Sequence, residues 1–154
     1  MIPESDSTQE TVTLREVTWE TLDDILALKV SDNQRKFVAD NARSIAQAHF
    51  CNRAWFRAIY ADETPVGFIM LDDQPDKPEY FLWRLMIDHR YQGRGYGRKA
   101  VQLLIDYVET RPNATQLLTS IHEAEGDPGG FYRKLGFEFT GQYEEGEAMM
   151  RLKL

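Results

Sequence analysis

Cysteine and long apolar segments are both scarce in this chain. Its 154 residues include one cysteine, Cys51, which cannot form an internal disulfide and therefore suits a reducing compartment. No stretch reaches the roughly 18 consecutive apolar residues of a membrane-spanning helix. The opening run, MIPESDSTQE, also lacks the basic and apolar regions of a signal peptide. We therefore expect a cytoplasmic protein without a membrane partner.

Positive charge is scarce as well. The chain has 18 lysines and arginines against 25 aspartates and glutamates, so its net charge is −7. A nucleic-acid-binding protein normally carries a broadly basic surface, so this balance argues against a nucleic-acid partner. The apolar fraction of 42% and the charged fraction of 28% are ordinary for a globular protein. We expect one domain over residues 12–154, preceded by a flexible polar segment, residues 1–11.

Apolar patterns along the chain predict strands interspersed with helices, which is typical of a mixed α/β domain. Strands are expected at residues 12–17, 55–60, 66–71, 80–87, 117–121, 137–142 and 148–153. Helices are expected at residues 20–30, 44–50, 96–109 and 129–135. Between the second and third strands, Asp62-Glu63-Thr64-Pro65 has the composition of a tight hairpin turn.

One short run, RYQGRGYGRK at residues 90–99, reverses the acidic balance with three glycines and four cations. It follows an apolar strand-like segment and precedes a helix whose apolar residues share one face, namely Ala100, Val101, Leu104, Ile105 and Val108. The first amides of a helix lack intrahelical partners and carry the positive end of its dipole. Glycine has no Cβ that would keep a phosphate away from these amides. The run therefore predicts a phosphate-binding loop.

Two common phosphate-binding loops do not fit this run. A Walker A loop ends in Gly-Lys followed by Ser or Thr, whereas Gly97 is followed by Arg98 and Lys99. A dinucleotide-binding fingerprint has its third glycine three residues after the second, whereas Gly93, Gly95 and Gly97 occupy alternate positions. A flexible surface turn with solvated arginines is the simplest remaining alternative.

Two motifs resemble the GNAT family of N-acetyltransferases. The run Gln92-Gly93-Arg94-Gly95-Tyr96-Gly97 resembles that family's acetyl-CoA pyrophosphate loop. The later run Phe131-Tyr132-Arg133-Lys134-Leu135-Gly136-Phe137 resembles the family's late helix, with its tyrosine and its closing Gly-Phe. The resemblance extends over residues 12–154. It implies the family's fold, a central, splayed, mostly antiparallel sheet flanked by helices, and a homodimer is a family expectation.

The resemblance also implies acetyl-CoA as the cofactor. Loop amides would bind its diphosphate, and Arg94, Arg98 and Lys99 would meet its phosphates. Backbone groups of residues 85–87 would pair with its pantetheine arm in the gap between two splayed strands. Glu125 stands where many members have an asparagine that holds the cofactor, so this contact is left open. The cofactor-binding candidates are Leu85, Met86, Ile87, Gln92, Gly93, Arg94, Gly95, Tyr96, Gly97, Arg98, Lys99, Glu125 and Tyr132.

Acetyl transfer to an amine requires a neutral amine, stabilisation of the oxyanion and a proton for the departing thiolate. Tyr132 matches the family's proton donor, although a tyrosine that only packs is the alternative. Glu79, His122 and Glu125 are all possible general bases, and none has a decisive signature. Cys51 is not expected to be the nucleophile, because no histidine-containing constellation accompanies it. We therefore expect direct transfer, without a metal.

The acceptor is expected to be a polyamine or diamine such as spermidine or spermine. The pattern Val30, Ser31, Asn33 and Gln34 is similar to the substrate-side region of bacterial spermine, spermidine or diamine acetyltransferases. Substrate-binding candidates are Asn33, Gln34, Phe37, Trp83 and Glu123. Acidic residues that would favour a polycation are Asp32, Asp40, Asp72, Asp73, Asp76, Glu79, Glu123 and Glu125. The alternatives are another small amine, an antibiotic or a protein amino group as acceptor, or a non-catalytic acyl-CoA sensor.

Overall fold

The computed structural model describes residues 10–154, and residues 1–9, most of the segment expected to be flexible, lie outside this part. The strands are β1 (Val12–Arg15), β2 (Ala54–Ala61), β3 (Thr64–Gln74), β4 (Glu79–Ile87), β5 (Gln116–Ile121), β6 (Glu138–Glu144) and β7 (Glu147–Lys153). The helices are α1 (Leu22–Leu26), α2 (Asn41–His49), α3 (Tyr96–Glu109) and α4 (Gly129–Lys134), with 3₁₀ turns at Asp32–Gln34 and His89–Tyr91. None of these helices is long and apolar enough to cross a membrane.

The strands form one sheet in the order β1-β2-β3-β4-β5-β7-β6. Neighbouring strands are antiparallel except β4 and β5, which are parallel, so the expected mixed, mostly antiparallel sheet is confirmed. Helices α3 and α4 cover one face around Leu82 and Leu104. Helices α1 and α2 cover the other face around Ile25, Met70 and Met86, but only over β2, β3 and β4. Within residues 10–154, that second face therefore has no helical cover over β5, β7 and β6.

Strands β4 and β5 separate soon after they meet. Their register contains only two partner pairs, Phe81 with Leu118 and Leu82 with Thr119. Immediately after Leu82, β4 has a register shift against β3 at Trp83. A bulge of this kind bends its strand and increases the local twist, so β4 turns away from β5. We call the resulting gap, between residues 83–87 of β4 and 120–121 of β5, the fork.

The first helix is much shorter than expected. The pattern at residues 20–30 predicts a single helix, but α1 ends at Leu26. The prediction is wrong because a buried aspartate, Asp88, binds the chain that follows. Its carboxylate accepts hydrogen bonds from the Lys29 amide at 3.0 Å and from the Arg90 amide at 2.9 Å. The His89 amide in turn donates to the Lys29 carbonyl at 2.9 Å, so tertiary bonds replace the helical ladder here.

Other elements begin or end at residues different from those predicted, for local reasons. The hairpin turn is shorter than expected, because Thr64 and Pro65 already belong to β3. Pro65 lies opposite Tyr60 at a register shift, where a missing amide is tolerated. Helix α2 begins three residues earlier than expected because the Asp40 side chain accepts from the Arg43 amide at 2.8 Å. The predicted helix Tyr96–Glu109 is confirmed.

We expect Asp88→Asn to lower the free energy of unfolding at neutral pH by about 1–3 kcal/mol, since it weakens charge-assisted bonds in a buried site. Burial alone would raise the pKa of Asp88, but hydrogen bonds from Arg90 and Lys29 outweigh it and lower the pKa. Because the folded-state pKa is depressed, this stabilisation exists above the unfolded pKa and disappears as the pH falls through the folded value. Denaturant titrations at pH 7 and pH 2.5 measure the difference.

The exposed Asp76 offers a matched control, and Asp76→Asn should leave the free energy of unfolding nearly unchanged at both pH values. An Asp88→Asn variant that is as stable as the parent at pH 7 would contradict the role given to this carboxylate.

Candidate active site

The glycine-rich loop joins the end of β4 to helix α3. Gly93 and Gly95 have φ values of +80° and +83°, in the left-handed region that favours glycine. Gly97 is already helical, and a Cβ added there would lie 3.5 Å from the Phe131 ring and 3.6 Å from Ile87. Two of the glycines are therefore required by the turn. The third sits where α3 packs closely against the end of β4 and the start of α4.

The loop presents several backbone amides that have no acceptor. The first hydrogen bond of α3 runs from the Lys99 amide to the Gly95 carbonyl at 3.1 Å. The amides of residues 93–98 donate to no acceptor in the described part of the chain. The side chain of Tyr96 is buried and bonds the Glu10 carboxylate, so only its amide is available to a ligand. Unpaired amides at a helix N-terminus are suited to bind an anion.

Three of the four expected cations are available beside these amides. Arg94, Arg98 and Lys99 form no ion pair with any residue of the 10–154 segment. Arg90, by contrast, pairs with Asp88 at 2.8 Å and supports the loop. The predicted cluster of four cations is therefore a cluster of three with one structural arginine.

The backbone of β4 presents a free edge to the fork. The Asp88 amide donates to the Val66 carbonyl at 2.8 Å, so the backbone of Asp88 faces β3. Since backbone groups alternate sides along a strand, Met86 also faces β3, while Leu85 and Ile87 face the fork. The Ile87 carbonyl already accepts a hydrogen bond from the side-chain amide of Gln92 at 2.9 Å. The expectation that Met86 contributes its backbone is therefore corrected, because its groups are used within the sheet.

Tyr132 lies beside the closed end of the fork, which we call its foot, at the Leu82–Thr119 pair. It is 7% exposed and its ring packs edge-on against Phe131 and Phe137. Burial raises the pKa of Tyr132 to about 12, and a hydrogen bond with Thr119 opposes this only in part. The Thr119 hydroxyl donates to the Leu82 carbonyl at 3.0 Å, in the last β4–β5 pair. The phenol therefore stays neutral over the whole physiological pH range, next to the point where the strands part.

The Asp127 side chain holds the turn that leads into helix α4, which carries this tyrosine. The carboxylate of Asp127 accepts from the Gly129 amide at 2.8 Å and from the Ala124 amide at 3.0 Å. Both bonds tie the end of β5 to the start of α4. Glu125 lies exposed within this turn and forms no hydrogen bond to another residue between 10 and 154.

The acceptor-side candidates are dispersed around the fork. The Gln34 side chain accepts from Gln92 at 2.8 Å, so it contacts the loop directly. The ring of Phe37 lies 6.3 Å from that of His122, which follows the end of β5. The Asn33 side chain accepts a hydrogen bond from the Ser31 hydroxyl at 2.6 Å. The remaining predicted residues are Trp83, half-buried beside the second apolar cluster, Glu123, which accepts from Tyr143 at 2.7 Å, and Glu79, at the exposed start of β4.

An acidic cavity opens on the uncovered face of the sheet, at the foot of the fork. Its volume is ≈ 320 Å³ and its floor includes Phe81 and Leu118, one of the two β4–β5 pairs. Five carboxylates line it: Asp72, Glu79, Glu144, Glu145 and Glu147. Asp72 forms an ion pair with Arg53 at 2.9 Å, and no other carboxylate of the five has a basic partner among residues 10–154. We call this the acidic cavity.

Sequence reasoning missed Glu144, Glu145 and Glu147. The run YEEGE at residues 143–147 was a visible signal, since three carboxylates surround a glycine in an expected hairpin turn. Such a run ordinarily indicates only a solvated turn. Its proximity to Glu79 and Asp72 arises from the pairing of β7 with β5, which cannot be read from local pattern.

Comparison with known proteins gives a consistent result. Residues 14–137 match the sequence profile of the acetyltransferase (GNAT) family. A spermine/spermidine N(1)-acetyltransferase of Bacillus subtilis is 29% identical over 146 residues, which is 90% of this chain and 96% of that protein. A peptidyl-lysine N-acetyltransferase of Escherichia coli is 32% identical over 87 residues, which is 56% of this chain and 51% of that protein.

Solved structures share the fold at lower identity. The PaiA N-acetyltransferase of Thermoplasma acidophilum in complex with coenzyme A superposes with a TM-score of 0.70 at 16% identity, over 94% of this chain and 99% of that one. A chimera of the spermidine N-acetyltransferase SpeG from Vibrio cholerae and hSSAT gives a TM-score of 0.67 at 17% identity, over 92% and 94% of the two chains.

The loop geometry predicts different effects on stability for two similar substitutions. Gly95→Ala places a Cβ in a left-handed conformation, so we expect the free energy of unfolding to fall by about 1–2 kcal/mol. Gly97→Ala adds a Cβ to a helical residue with ordinary contact distances, and we expect no loss of stability. Denaturant titration of both variants measures the difference. Equal losses at the two positions would contradict the assigned loop conformation.

Proposed function

We propose, from the premise that this chain belongs to the acetyltransferase (GNAT) family, that it transfers the acetyl group of acetyl-CoA directly to a primary amine of a polyamine or diamine such as spermidine or spermine. The family match and the names of the relatives support an acetyl-CoA-dependent N-acetyltransferase. The observation that carries the acceptor class is the acidic cavity at the foot of the fork. The Bacillus subtilis relative named for spermine and spermidine supports the same class.

The loop residues fit the cofactor. Free amides of residues 93–98 suit a diphosphate, and Arg94, Arg98 and Lys99 add positive charge beside them. The backbone of Leu85 and the amide of Ile87 face the fork, where they would pair with the amides of an extended pantetheine arm. The thioester supplies an activated acetyl group. An amide of β4 that faces the fork is also suitably placed to polarise the thioester carbonyl.

We assign to Tyr132 a contact with the sulfur atom that leaves during acetyl transfer. Its pKa of about 12 keeps the phenol protonated, so it always presents a donor. A thiol has a pKa of ~8.5, well below that value, so full proton transfer from the phenol is unfavourable. We therefore assign to Tyr132 a hydrogen bond that strengthens as negative charge develops on the sulfur. Such a bond stabilises the transition state without ionising the tyrosine.

We assign the acceptor to the sheet face that carries the acidic cavity, opposite the face covered by α3 and α4. Unmatched carboxylates of the acidic cavity would hold a distal ammonium, while the reacting amine enters the fork. His122 follows β5 at the open end of the fork, whereas Glu79 lies beyond its closed end. We therefore assign proton acceptance to His122, directly or through water, and ammonium binding to Glu79. Phe37, which lies beside His122, would line the methylene chain of the acceptor.

An acceptor panel tests the proposed function. The panel comprises spermidine, spermine, putrescine, a monoamine, an aminoglycoside and a lysine peptide, with release of coenzyme A as the readout. We expect the di- and polyamines to give the highest kcat/KM. The lysine peptide is included because of the peptidyl-lysine relative. Cofactor binding by calorimetry without acetylation of any amine would instead support a non-catalytic sensor.

We expect Tyr132→Phe to lower kcat about 10²-fold, because it removes the donor that stabilises the sulfur. Affinity for coenzyme A should change less than about twofold, since the loop amides are untouched. Tyr107→Phe is the matched control, because the Tyr107 ring stacks on Trp55 near the end of α3 and should not affect turnover. Unchanged kcat in Tyr132→Phe would remove this residue from the reaction.

The charge of the acidic cavity should be visible in KM. We expect KM for spermidine to rise several-fold between about 0.05 M and 0.5 M salt, because salt screens exposed charges, while KM for a monoamine changes less. The double variant Glu79→Gln and Glu144→Gln should raise KM for spermidine about tenfold and flatten the salt dependence. Glu109→Gln, an exposed change at the end of α3, is the control. A salt-insensitive KM for spermidine would count against this acceptor site.

A further inference from the structure

Arg84 is a half-buried cation without an ion pair among residues 10–154. It lies on the sheet face to which we assign the acceptor, which we call the acceptor face. It lies on β4 directly after the bulge, at the foot of the fork. One terminal nitrogen, Nη2, donates to the side-chain Oε1 of Gln47 at 2.9 Å, and Nη1 donates to the backbone carbonyl of Trp83 at 3.2 Å. The Nε atom is buried and has no hydrogen-bond partner among residues 10–154. No carboxylate between residues 10 and 154 forms an ion pair with this guanidinium.

The surroundings of Arg84 add positive charge. Arg43 precedes Gln47 by one helical turn of α2, so both lie on the helix face toward Arg84. Burial lowers the pKa of Arg84, and the charge of Arg43 lowers it further, against a smaller opposing effect of Glu147. The Glu147 carboxylate is itself bound by the Ser120 hydroxyl at 2.6 Å. A second cation next to a partly desolvated one is destabilising unless an anion joins them.

This arrangement matches a carboxylate site. A guanidinium binds a carboxylate through two N–H groups. Each terminal nitrogen of Arg84 carries two N–H groups and uses one of them within residues 10–154, so one on each remains for a carboxylate. The pyrophosphate of the cofactor is assigned to the loop at the other end of the fork, so it does not account for these two N–H groups. The acidic cavity lies alongside, since Phe81, Ser120 and Glu147 line it and the charge of Glu147 acts on Arg84. The acceptor face therefore has a negative region and a positive region side by side.

We propose that Arg84, supported by Arg43 and Gln47, binds a carboxylate of the acceptor, so that the preferred diamine is a diamino acid. This inference rests on the proposed function for the amine-acetylating chemistry and adds the carboxylate. The reacting amine enters the fork, the second ammonium lies in the acidic cavity, and the carboxylate bonds Arg84. Neither the relatives' names nor the sequence motifs assign a role to Arg84.

Matched pairs of acceptors isolate the carboxylate. Ornithine and putrescine have the same spacing between their amines, and only ornithine has the carboxylate; lysine and cadaverine form a second such pair. Ornithine methyl ester keeps the size of the group and removes its charge. We expect kcat/KM for ornithine to exceed that for putrescine and for the ester by about tenfold, the effect of one charge-assisted bidentate contact.

The ratio of the two kcat/KM values is the readout for variants. Arg84→Gln should lower the ornithine-to-putrescine ratio about tenfold, and Arg84→Lys should give an intermediate ratio because it keeps charge and loses the planar fork. Arg57→Gln is the matched control: Arg57 is also half-buried, lies over the Trp55 ring and donates to its preceding carbonyl at 2.8 Å. Its ratio should not change.

Arg43→Gln tests the site without the risk of a folding defect, because Arg43 is exposed on α2 and its substitution should not unfold the protein. We expect it to lower the ornithine-to-putrescine ratio two- to threefold. If putrescine and spermidine are acetylated but ornithine is no better than its ester, the carboxylate site is wrong and the proposed function stands. If no amine in either pair or in the acceptor panel is acetylated, the proposed function itself fails.

Discussion

The bulge that bends β4 away from β5 is the constraint on which the remaining site geometry depends. The two strands pair only at Phe81–Leu118 and Leu82–Thr119, and the register shift at Trp83 follows at once. A continuous parallel pair would use the backbone of β4 on both edges. Because the pair ends early, Leu85 and Ile87 keep an open edge, and a passage forms between the two faces of the sheet.

The two faces differ in charge. On the face of α3 and α4, free amides and the side chains of Arg94, Arg98 and Lys99 create a local positive site in a chain of net charge −7. On the other face, no helix within residues 10–154 covers β5 and β7, and carboxylates gather there around the acidic cavity. Oppositely charged ligands can therefore approach one passage from opposite sides without competing for the same residues.

Hydrogen bonds tie the segment after α1 to the glycine-rich loop. Asp88 binds the Lys29 amide and Arg90, and Gln92 joins Gln34 to the Ile87 carbonyl. The segment after α1 is thus positioned by residues that flank the loop rather than by its own helical bonds. A displacement of the loop would move Gln34 as well, because the loop and the segment after α1 are held by the same hydrogen bonds.

Elements whose causes are local can be predicted from the amino-acid pattern. The helical period predicts Tyr96–Glu109, the glycines predict the turn before it, and the pattern of apolar residues predicts all seven strands to within a few residues. Four features depend instead on tertiary contacts: the short α1, the use of the Met86 backbone within the sheet, the gathering of Glu144 and Glu147 with Glu79, and an Arg84 without an ion pair among residues 10–154. These features follow from strand register, a bulge and contacts between residues distant in the chain, and a local pattern carries no information about which distant groups will meet.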